Sequence, residues 1–280
     1  MRKINVSRIT DAVEELCIKA NFELRTDILA ALKKAFAKEK SRLGASIIRD
    51  IIENARIAKK EGIAICQDTG MVAVFLEIGR EVALTGGDLS RAVNEGVKRA
   101  YKTGCLRRSI VADPLIRKNT GTNTPCVIHT DIVEGRSVRI AVSPKGFGSE
   151  NKSRMIMFRP TAAIDEIKRF VVDTVKNAGA SACPPLIVGV GIGGTFEKCA
   201  YLAKKALLRR IDKGNPKKHI RRLEKELLKE INLTGMGPMG LGGVSTALGV
   251  NILDYPTHIA GLPVAVSISC HATRSKEVVL

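Results

Sequence analysis

The spacing of apolar residues changes near position 60, and this change most constrains the fold. Before it, apolar side chains recur every three or four residues, as at Val6, Ile9 and Val13, which predicts amphipathic helices. After it, residues 63–65 and 71–78 form short apolar runs typical of strands. The pattern predicts a mixed α/β (α+β) protein, with a helical N-terminal region followed by mixed sheets covered by helices. With no evident repeat, residues 1–280 are predicted to form a single large domain.

The middle of the chain carries further element signals. Residues 126–133 and 137–142 alternate apolar and polar side chains, which predicts a β-hairpin across 134–136. Asp88 is predicted to cap a helix that extends to about Thr103. Residues 106–125 form a loop long enough to predict either function or disorder.

Composition narrows the classes of partner. Lys and Arg total 46 against 28 acidic residues, and the net charge of +18 favours an anionic partner. Many of these cations fall within 204–222, which is predicted to form two basic helices. Such a charge run is more commonly a solvated helix face than a binding surface. The chain has no Trp and 4% aromatics, so an aromatic groove for stacked bases is not expected. A nucleic-acid-binding protein remains an alternative on charge alone.

The seven cysteines are scattered and include no CxxC pair, so they do not form a disulfide framework. The first residues lack the apolar core of a signal peptide, and no apolar run reaches the length of a membrane span. We therefore expect a cytoplasmic protein with reduced thiols and no membrane segment. Cys17 lies within the apolar stripe of the first helical segment and is predicted to be buried.

The CQDTG segment at 66–70 separates two apolar runs and combines a thiol, an amide and a carboxylate. Such a set could ligate a soft metal, orient a substrate and move a proton, and loops on rigid elements commonly carry function. A Cys before a turn is also commonly a small buried apolar residue, and an Asp there commonly caps its own backbone. Local composition leaves both interpretations open.

Two glycine-rich segments suggest ligand contact. Gly146 and Gly148 would let backbone N–H groups approach a ligand, with positive charge from Lys145. Residues 189–194 fit GxGxxG between a predicted strand and a predicted helix, which indicates a phosphate-binding turn. The acidic residue expected about twenty positions later should end a strand, whereas Asp212 follows a helix. An NAD-binding oxidoreductase therefore remains a weaker alternative.

Five motifs occur in order along the chain: CQDTG at 66–70, NTGTNTP at 119–125, KGFGSEN at 145–151, CPP at 183–185, and LPVAV at 262–266 followed by Cys270. Together they resemble the alpha subunit of class I, iron–sulfur-dependent fumarate hydratases and the related L(+)-tartrate dehydratases. The resemblance covers nearly all 280 residues. No single motif would be specific.

The resemblance implies a 4Fe-4S cluster held by Cys66, Cys183 and Cys270, with the fourth iron open to substrate as a Lewis acid. Spacing alone would not identify these three cysteines as a cluster site. Gln67 and Asp68 would lie against the substrate, with Asp68 a candidate for proton transfer or for orienting the hydroxyl.

The remaining site residues also come from the resemblance. Arg107 would clamp a substrate carboxylate, although Arg108 stands where the family frequently has proline. Gly148 matches the substrate-touching glycine loop, and Gly146 is its rival. His258 matches a substrate-side histidine. Three other cysteines have no counterpart in the cluster set and are expected to be buried or half-buried: Cys105, Cys126 and Cys199.

The implied activity is the reversible hydration of fumarate to malate by a hydro-lyase, with L(+)-tartrate dehydration as the alternative. The implied partner is a separate beta subunit that supplies further arginines, a lysine and the general base. The chain is thus expected to work in a hetero-oligomer on a small dicarboxylate, without binding nucleic acid.

Overall fold

The computed structural model describes residues 1–280, which form two compact units. The first unit contains Met1–Arg25, Ala55–Phe147 and Arg274–Leu280, and the second contains Thr26–Asn54 and Gly148–Thr273. Each unit has its own sheet and apolar core. The predicted mixed α/β class is confirmed, whereas the assignment of 1–280 to one catalytic domain stays a prediction.

The chain alternates helices and strands along most of its length. Its helices are α1 (Val6–Phe22), α2 (Thr26–Lys38), α3 (Arg42–Glu61), α4 (Leu89–Thr103), the single turn α5 (Phe147–Glu150), α6 (Ile164–Ala178), α7 (Phe196–Ala206) and α8 (Lys218–Leu233). Its strands are β1 (Arg2–Asn5), β2 (Met71–Gly79), β3 (Val82–Thr85), β4 (Val127–Val133), β5 (Val138–Lys145), β6 (Arg154–Phe158), β7 (Leu186–Gly193), β8 (Ala247–Tyr255), β9 (Leu262–Ser269) and β10 (Lys276–Val279). No helix combines the length and apolarity needed to cross a lipid bilayer.

The main sheet of the first unit has the order β10-β5-β2-β4. Because side chains alternate between the faces of a strand, Val72, Val74 and Leu76 of β2 enter one core. Apolar residues of α1 and α4 belong to the same buried cluster, so these helices cover that face. The Asp88 carboxylate accepts the Arg91 N–H at 2.7 Å, which confirms the predicted start of α4.

The predicted hairpin at 126–142 is wrong, although both of its strands exist. β2 lies between β4 and β5, parallel to β4 and antiparallel to β5. The intervening turn crosses the end of β2, where the Gly79 N–H donates to Ser137 O at 2.9 Å and the Arg80 N–H donates to Val133 O at 2.8 Å. A side chain at Gly79 would clash with the carbonyl of Gly135, so glycine permits this crossing.

Residues 63–65 were predicted to form a strand and do not. Their backbone finds its partner outside any sheet, since the Ile65 N–H donates to the carbonyl of Asn21, in the last turn of α1, at 2.9 Å. Three residues are too short a run for apolar pattern alone to distinguish a strand from a connection.

The sheet of the second unit has the order β6-β9-β7-β8 and is covered on both faces. Val188 and Val190 of β7 share a core with α6 and α8. On the opposite face, a side chain at Gly189 or Gly191 would clash with backbone carbonyls of α7. These two glycines of the GxGxxG pattern therefore lie within a strand and permit close strand–helix packing, rather than forming a phosphate-binding turn.

The basic segment at 204–222 belongs to the second unit, and several of its cations form ion pairs within that unit. The Arg209 guanidinium contacts the buried Glu224 carboxylate at 2.6 Å, and Glu224 also accepts the Asn215 and Ile252 N–H groups. Further pairs in and beside this segment are Lys204–Glu150, Arg210–Asp212, Lys217–Asp254 and Arg222–Glu226. Much of the cationic excess here thus has acidic partners within the unit.

Candidate active site

The CQDTG segment forms the turn that leads into β2. Thr69 and Gly70 are buried, Cys66 and Asp68 are half-buried, and Gln67 is exposed. Gly70 has a φ of 76°. A side chain there would overlap the carbonyl of Lys145, so only glycine fits both the backbone angle and the space. The turn is thus pressed against the end of β5.

Buried donors hold three consecutive carbonyl groups of this turn. An Arg274 guanidinium N–H donates to Asp68 O at 2.8 Å. The Tyr101 hydroxyl donates to Thr69 O at 2.7 Å and lies 3.1 Å from Gly70 O, which also accepts from the Asn123 amide at 3.1 Å. Side chains from elsewhere in the unit therefore fix the turn and leave Gln67 free to face solvent.

The Asp68 carboxylate is held by two backbone N–H groups. Its Oδ1 accepts the Gly70 N–H at 3.0 Å, and its Oδ2 accepts the Phe147 N–H at 2.8 Å. A Cβ added to Gly146 would lie 2.8 Å from that Oδ2. The sequence-based possibility that Asp68 caps its own backbone is confirmed, and the same contacts fix where its carboxylate sits.

Arg107 lies beside this turn through its main chain. The Thr69 hydroxyl donates to Arg107 O at 2.8 Å, whereas Arg108 O accepts from the Asn119 amide at 3.0 Å. Both arginine side chains are exposed, and neither guanidinium forms an ion pair. Either could receive an anion, and Arg107 has the direct link to the CQDTG turn.

The NTGTNTP segment at 119–125 builds turns and supports the site from behind. The Asn119 carbonyl oxygen accepts the Gly121 N–H at 2.7 Å. Asn123 is fully buried, and its side-chain oxygen accepts the Ser109 N–H at 2.7 Å while its amide binds Gly70 O. Asn123 therefore ties the loop that carries Arg107 to the CQDTG turn.

In the second unit, the strand register brings Cys183 and Cys270 to the same end of the sheet, where β7 begins and β9 ends. β7 starts shortly after Cys183 and β9 ends just before Cys270, and the two strands are antiparallel with Ile187 opposite Ser269. His271 joins the two segments, since its N–H donates to Cys183 O at 3.3 Å and its Nδ1 lies 3.0 Å from the same oxygen. Two of the three predicted cluster ligands, Cys183 and Cys270, thus lie on neighbouring segments of one unit.

Gly148 lies near the same end of the sheet, since a Cβ added to it would be 3.5 Å from the carbonyl oxygen of Ser181, two positions before Cys183.

His258 does not lie at this end of the sheet. It is exposed in the connection from β8 to β9, at the opposite end of β9 from Cys270. The eight residues of β9 span roughly 25 Å, and they separate His258 from the end of the sheet where Cys270 lies. Its Nδ1 accepts the Ala260 N–H at 3.2 Å.

Burial separates the cysteines. Burial raises the pKa of Cys126 to about 11 and that of Cys199 to about 12, and it also raises the pKa of Cys17. These buried thiols favour the protonated form, which is a poor metal ligand. Three cysteines are half-buried, and they are the predicted cluster ligands: Cys66, Cys183 and Cys270.

Cys105 is exposed, contrary to the prediction that it would be buried or half-buried. It follows the Gly104 that ends α4 and has a φ of 50°. The chain turns there into the left-handed region, so Cys105 lies outside the apolar face that the helix buries.

Thiolates are the usual ligands of iron–sulfur clusters, so the chemistry of the half-buried donor set fits such a group. Cys66 belongs to the first unit, and Cys183 and Cys270 belong to the second. The structure contains no gathered group of three or more His, Cys, Asp or Glu side chains with the arrangement of a metal site.

Comparison with known proteins assigns the family. The sequence profile described as Fumarate hydratase (Fumerase) matches residues 10–279. The chain belongs to the fumarate hydratase family. It is 43% identical over 273 residues to a Methanocaldococcus jannaschii protein provisionally named L(+)-tartrate dehydratase subunit alpha, with 95% of each chain covered. It is 30% identical over 272 residues to the L(+)-tartrate dehydratase subunit alpha of Escherichia coli strain K12, covering 96% of this chain and 89% of that one.

Membership of the fumarate hydratase family confirms the predicted resemblance and makes the chain a hydro-lyase. The structure also shows buried polar residues around the CQDTG turn that sequence reasoning missed: Asn21, Tyr101 and Arg274. Asn21 offered one signal, because it stands four positions after Cys17 on the buried face of α1. Arg274 and Tyr101 offered none, since their burial depends on contacts distant in sequence.

Proposed function

We propose that this chain is the alpha subunit of an iron–sulfur hydro-lyase that reversibly hydrates fumarate to malate. The observation that carries the proposal is the fixed Asp68 carboxylate beside the exposed Gln67, in a turn bonded to the main chain of Arg107. A fixed carboxylate can transfer a proton or orient a hydroxyl, and an unpaired guanidinium can bind a carboxylate. Membership of the fumarate hydratase family supports this assignment.

Cys66, Cys183 and Cys270 would hold a 4Fe-4S cluster in this proposal. Such a cluster, when bound through three thiolates, supplies an iron with an open position that acts as a Lewis acid on a substrate hydroxyl or carboxylate. The half-buried state of these residues supports the assignment, because it sets them apart from the buried cysteines, whose thiols favour the protonated form.

The chain's own residues would bind and orient the dicarboxylate. Arg107 would hold one carboxylate through two parallel hydrogen bonds, and Gln67 would orient the substrate. Gly148 or its rival Gly146 would let the backbone approach the substrate closely. His258 enters this proposal through the family resemblance alone, because within its unit it lies at the far end of β9 from Cys270.

L(+)-tartrate is the second candidate substrate, favoured by the names of the two relatives. Both are called alpha subunits, which supports a working complex with a beta subunit that would supply further arginines, a lysine and the general base. Malate and tartrate differ by one hydroxyl group, so the two activities need the same carboxylate contacts and differ in how that group is accommodated.

The experiment that tests this proposal uses the alpha chain co-expressed with its beta subunit and purified without oxygen. We expect about four iron and four sulfide per alpha chain, visible absorbance near roughly 400 nm, and hydration of fumarate or dehydration of L(+)-tartrate. Cys66→Ser, Cys183→Ser and Cys270→Ser should each abolish the absorbance. Cys126→Ala and Cys199→Ala are the matched controls and should retain it. A colourless wild-type complex, or loss of absorbance only in the controls, would contradict the proposal.

A further inference from the structure

Arg274 is a buried cation directly beneath the CQDTG turn. Its side chain is 3% exposed. One terminal N–H donates to Asn21 Oδ1 at 3.0 Å and another to Asp68 O at 2.8 Å. Its Nε is buried and has no hydrogen-bond partner. Asn21 is itself fully buried and anchored, since its amide donates to Cys17 O at 2.9 Å.

Both oxygens that accept from Arg274 are uncharged, and its guanidinium forms no ion pair. The Asp68 carboxylate lies close by, because a Cβ added to Gly146 would be 2.8 Å from Asp68 Oδ2 and 3.6 Å from an Arg274 nitrogen. That carboxylate nevertheless accepts from the Gly70 and Phe147 N–H groups instead. A buried guanidinium without a bonded counter-charge is unfavourable, and the nearby Asp68 carboxylate uses its hydrogen bonds on backbone N–H groups, so the positive charge of Arg274 is not neutralised by a bonded carboxylate.

We propose that Arg274 is a positioning residue for an anionic substrate. It fixes the main chain of Asp68 and places a buried positive charge within hydrogen-bond distance of the CQDTG turn, which favours a dicarboxylate bound at that turn. This inference rests on the proposed function, and it adds a cation that the five sequence motifs do not contain. Because Arg274 is buried, it acts through the turn and through its charge, without touching the substrate.

The test uses the co-expressed, cluster-containing complex with Arg274→Gln, Arg274→Lys and the control Arg25→Gln. Arg25 is a second buried arginine of the same unit, and its guanidinium donates to the Ser275 hydroxyl at 3.4 Å. Two quantities are measured in each variant: the dissociation constant of succinate, a saturated dicarboxylate, and hydrogen exchange at the Phe147 amide, which donates to Asp68.

Arg274→Gln should weaken succinate binding about tenfold at low salt, and this difference should shrink as salt screens the charge. Arg274→Lys keeps the charge, so its succinate affinity should stay within about threefold of wild type, even though both variants expose the Phe147 amide to faster exchange. Arg25→Gln should leave both quantities unchanged in the folded complex.

Equal losses of affinity in Arg274→Gln and Arg274→Lys would mean that Arg274 serves structure only, and this overturns the proposal. Unchanged succinate affinity in Arg274→Gln overturns it as well. A wild-type complex that binds no dicarboxylate instead overturns the proposed function, and the inference with it. Thermal unfolding of each variant identifies any that fail to fold, in which case Arg274→Lys alone decides the outcome through the salt dependence of its affinity.

Discussion

Asp68 accepts two backbone hydrogen bonds and still retains capacity for chemistry. Each carboxylate oxygen has two lone pairs, and the Gly70 and Phe147 N–H groups use one on each oxygen. The remaining lone pairs can accept a substrate proton. Because the two N–H groups are part of the backbone, they hold the carboxylate in one orientation without introducing another titratable group.

The space beside this carboxylate depends on Gly146. Gly146→Ala would place a methyl group 2.8 Å from Asp68 Oδ2 and displace the carboxylate, so we expect kcat/KM to fall by about tenfold or more. Gly148→Ala tests the rival position, because its Cβ would meet Ser181 O at an ordinary 3.5 Å and leave the Asp68 carboxylate in place. A larger loss for Gly148→Ala than for Gly146→Ala would show that the substrate itself approaches Gly148.

Two adjacent exposed arginines offer a second matched pair. Arg107→Lys keeps the positive charge and loses the planar fork, so a bidentate carboxylate contact should weaken by about 1.5–3 kcal/mol, seen as a tenfold or greater loss of kcat/KM. Arg108→Lys should change it little. Steady-state kinetics on the alpha–beta complex would measure both, and the reverse ranking would move the carboxylate contact to Arg108.

Local chemistry predicted the backbone contact of Asp68, whereas the set of candidate site residues came from the family resemblance. Asp68 could be predicted to accept from the backbone of its own turn, because Asp before Thr-Gly commonly does so. Arg274 could not be predicted, since its contact with Asp68 spans 206 positions and only the fold creates it. Tyr101 was missed for the same reason, as its hydroxyl reaches the turn from the end of α4.

Among the elements, β2 organises the first unit because it is the strand with sheet neighbours on both sides and the site turn at its start. The CQDTG turn reaches β2 through Gly70, at the place where β5 ends. Strand pairing thus determines the position of the turn, and the turn determines the position of Asp68.

Gly70→Ala tests how tightly this junction is packed. The substitution combines the cost of a left-handed backbone, about 1–2 kcal/mol, with an overlap on the Lys145 carbonyl that adds about 1–3 kcal/mol. Gly62→Ala is the control, since Gly62 has a similar φ of 64° with nothing within 4 Å of the added Cβ. Urea unfolding should show the larger loss for Gly70→Ala, and equal losses would contradict the tight junction.

Strand existence was easier to predict than strand partners. Alternation of side chains identifies β4 and β5, but it carries no information on which neighbour each strand bonds to. Their short connection suggested a hairpin, whereas an earlier strand occupies the space between them. The GxGxxG pattern misled for a related reason, because glycines needed for helix packing have the same letters as glycines needed for phosphate.

For the whole molecule, the net charge of +18 is a property of the surface and not of the fold. Part of the excess in the basic segment at 204–222 is neutralised within the second unit, as by Glu224 and Asp254. The cations of the candidate site, Arg107 and Arg108, have no such partners. This distribution agrees with an anionic ligand at the site.

The alpha chain purified alone should bind a cluster but turn over fumarate, malate or L(+)-tartrate at least roughly 100-fold more slowly than the alpha–beta complex, because the proposed general base lies on the beta subunit. Activity assays with and without co-expressed beta subunit measure this ratio. Full turnover by the alpha chain alone would require a base within these 280 residues. Asp68 and His258 would then be the first two residues to replace.

The first unit is assembled from three separate stretches of chain, and the last of them, Arg274–Leu280, carries both Arg274 and β10. On a ribosome, β2, β4 and β5 emerge long before this stretch is synthesised. Until it arrives, the Asp68 carbonyl lacks its buried donor and β5 lacks its outer neighbour. The CQDTG turn therefore gains its last buried hydrogen bond late in folding, after residue 274 has left the ribosomal exit tunnel.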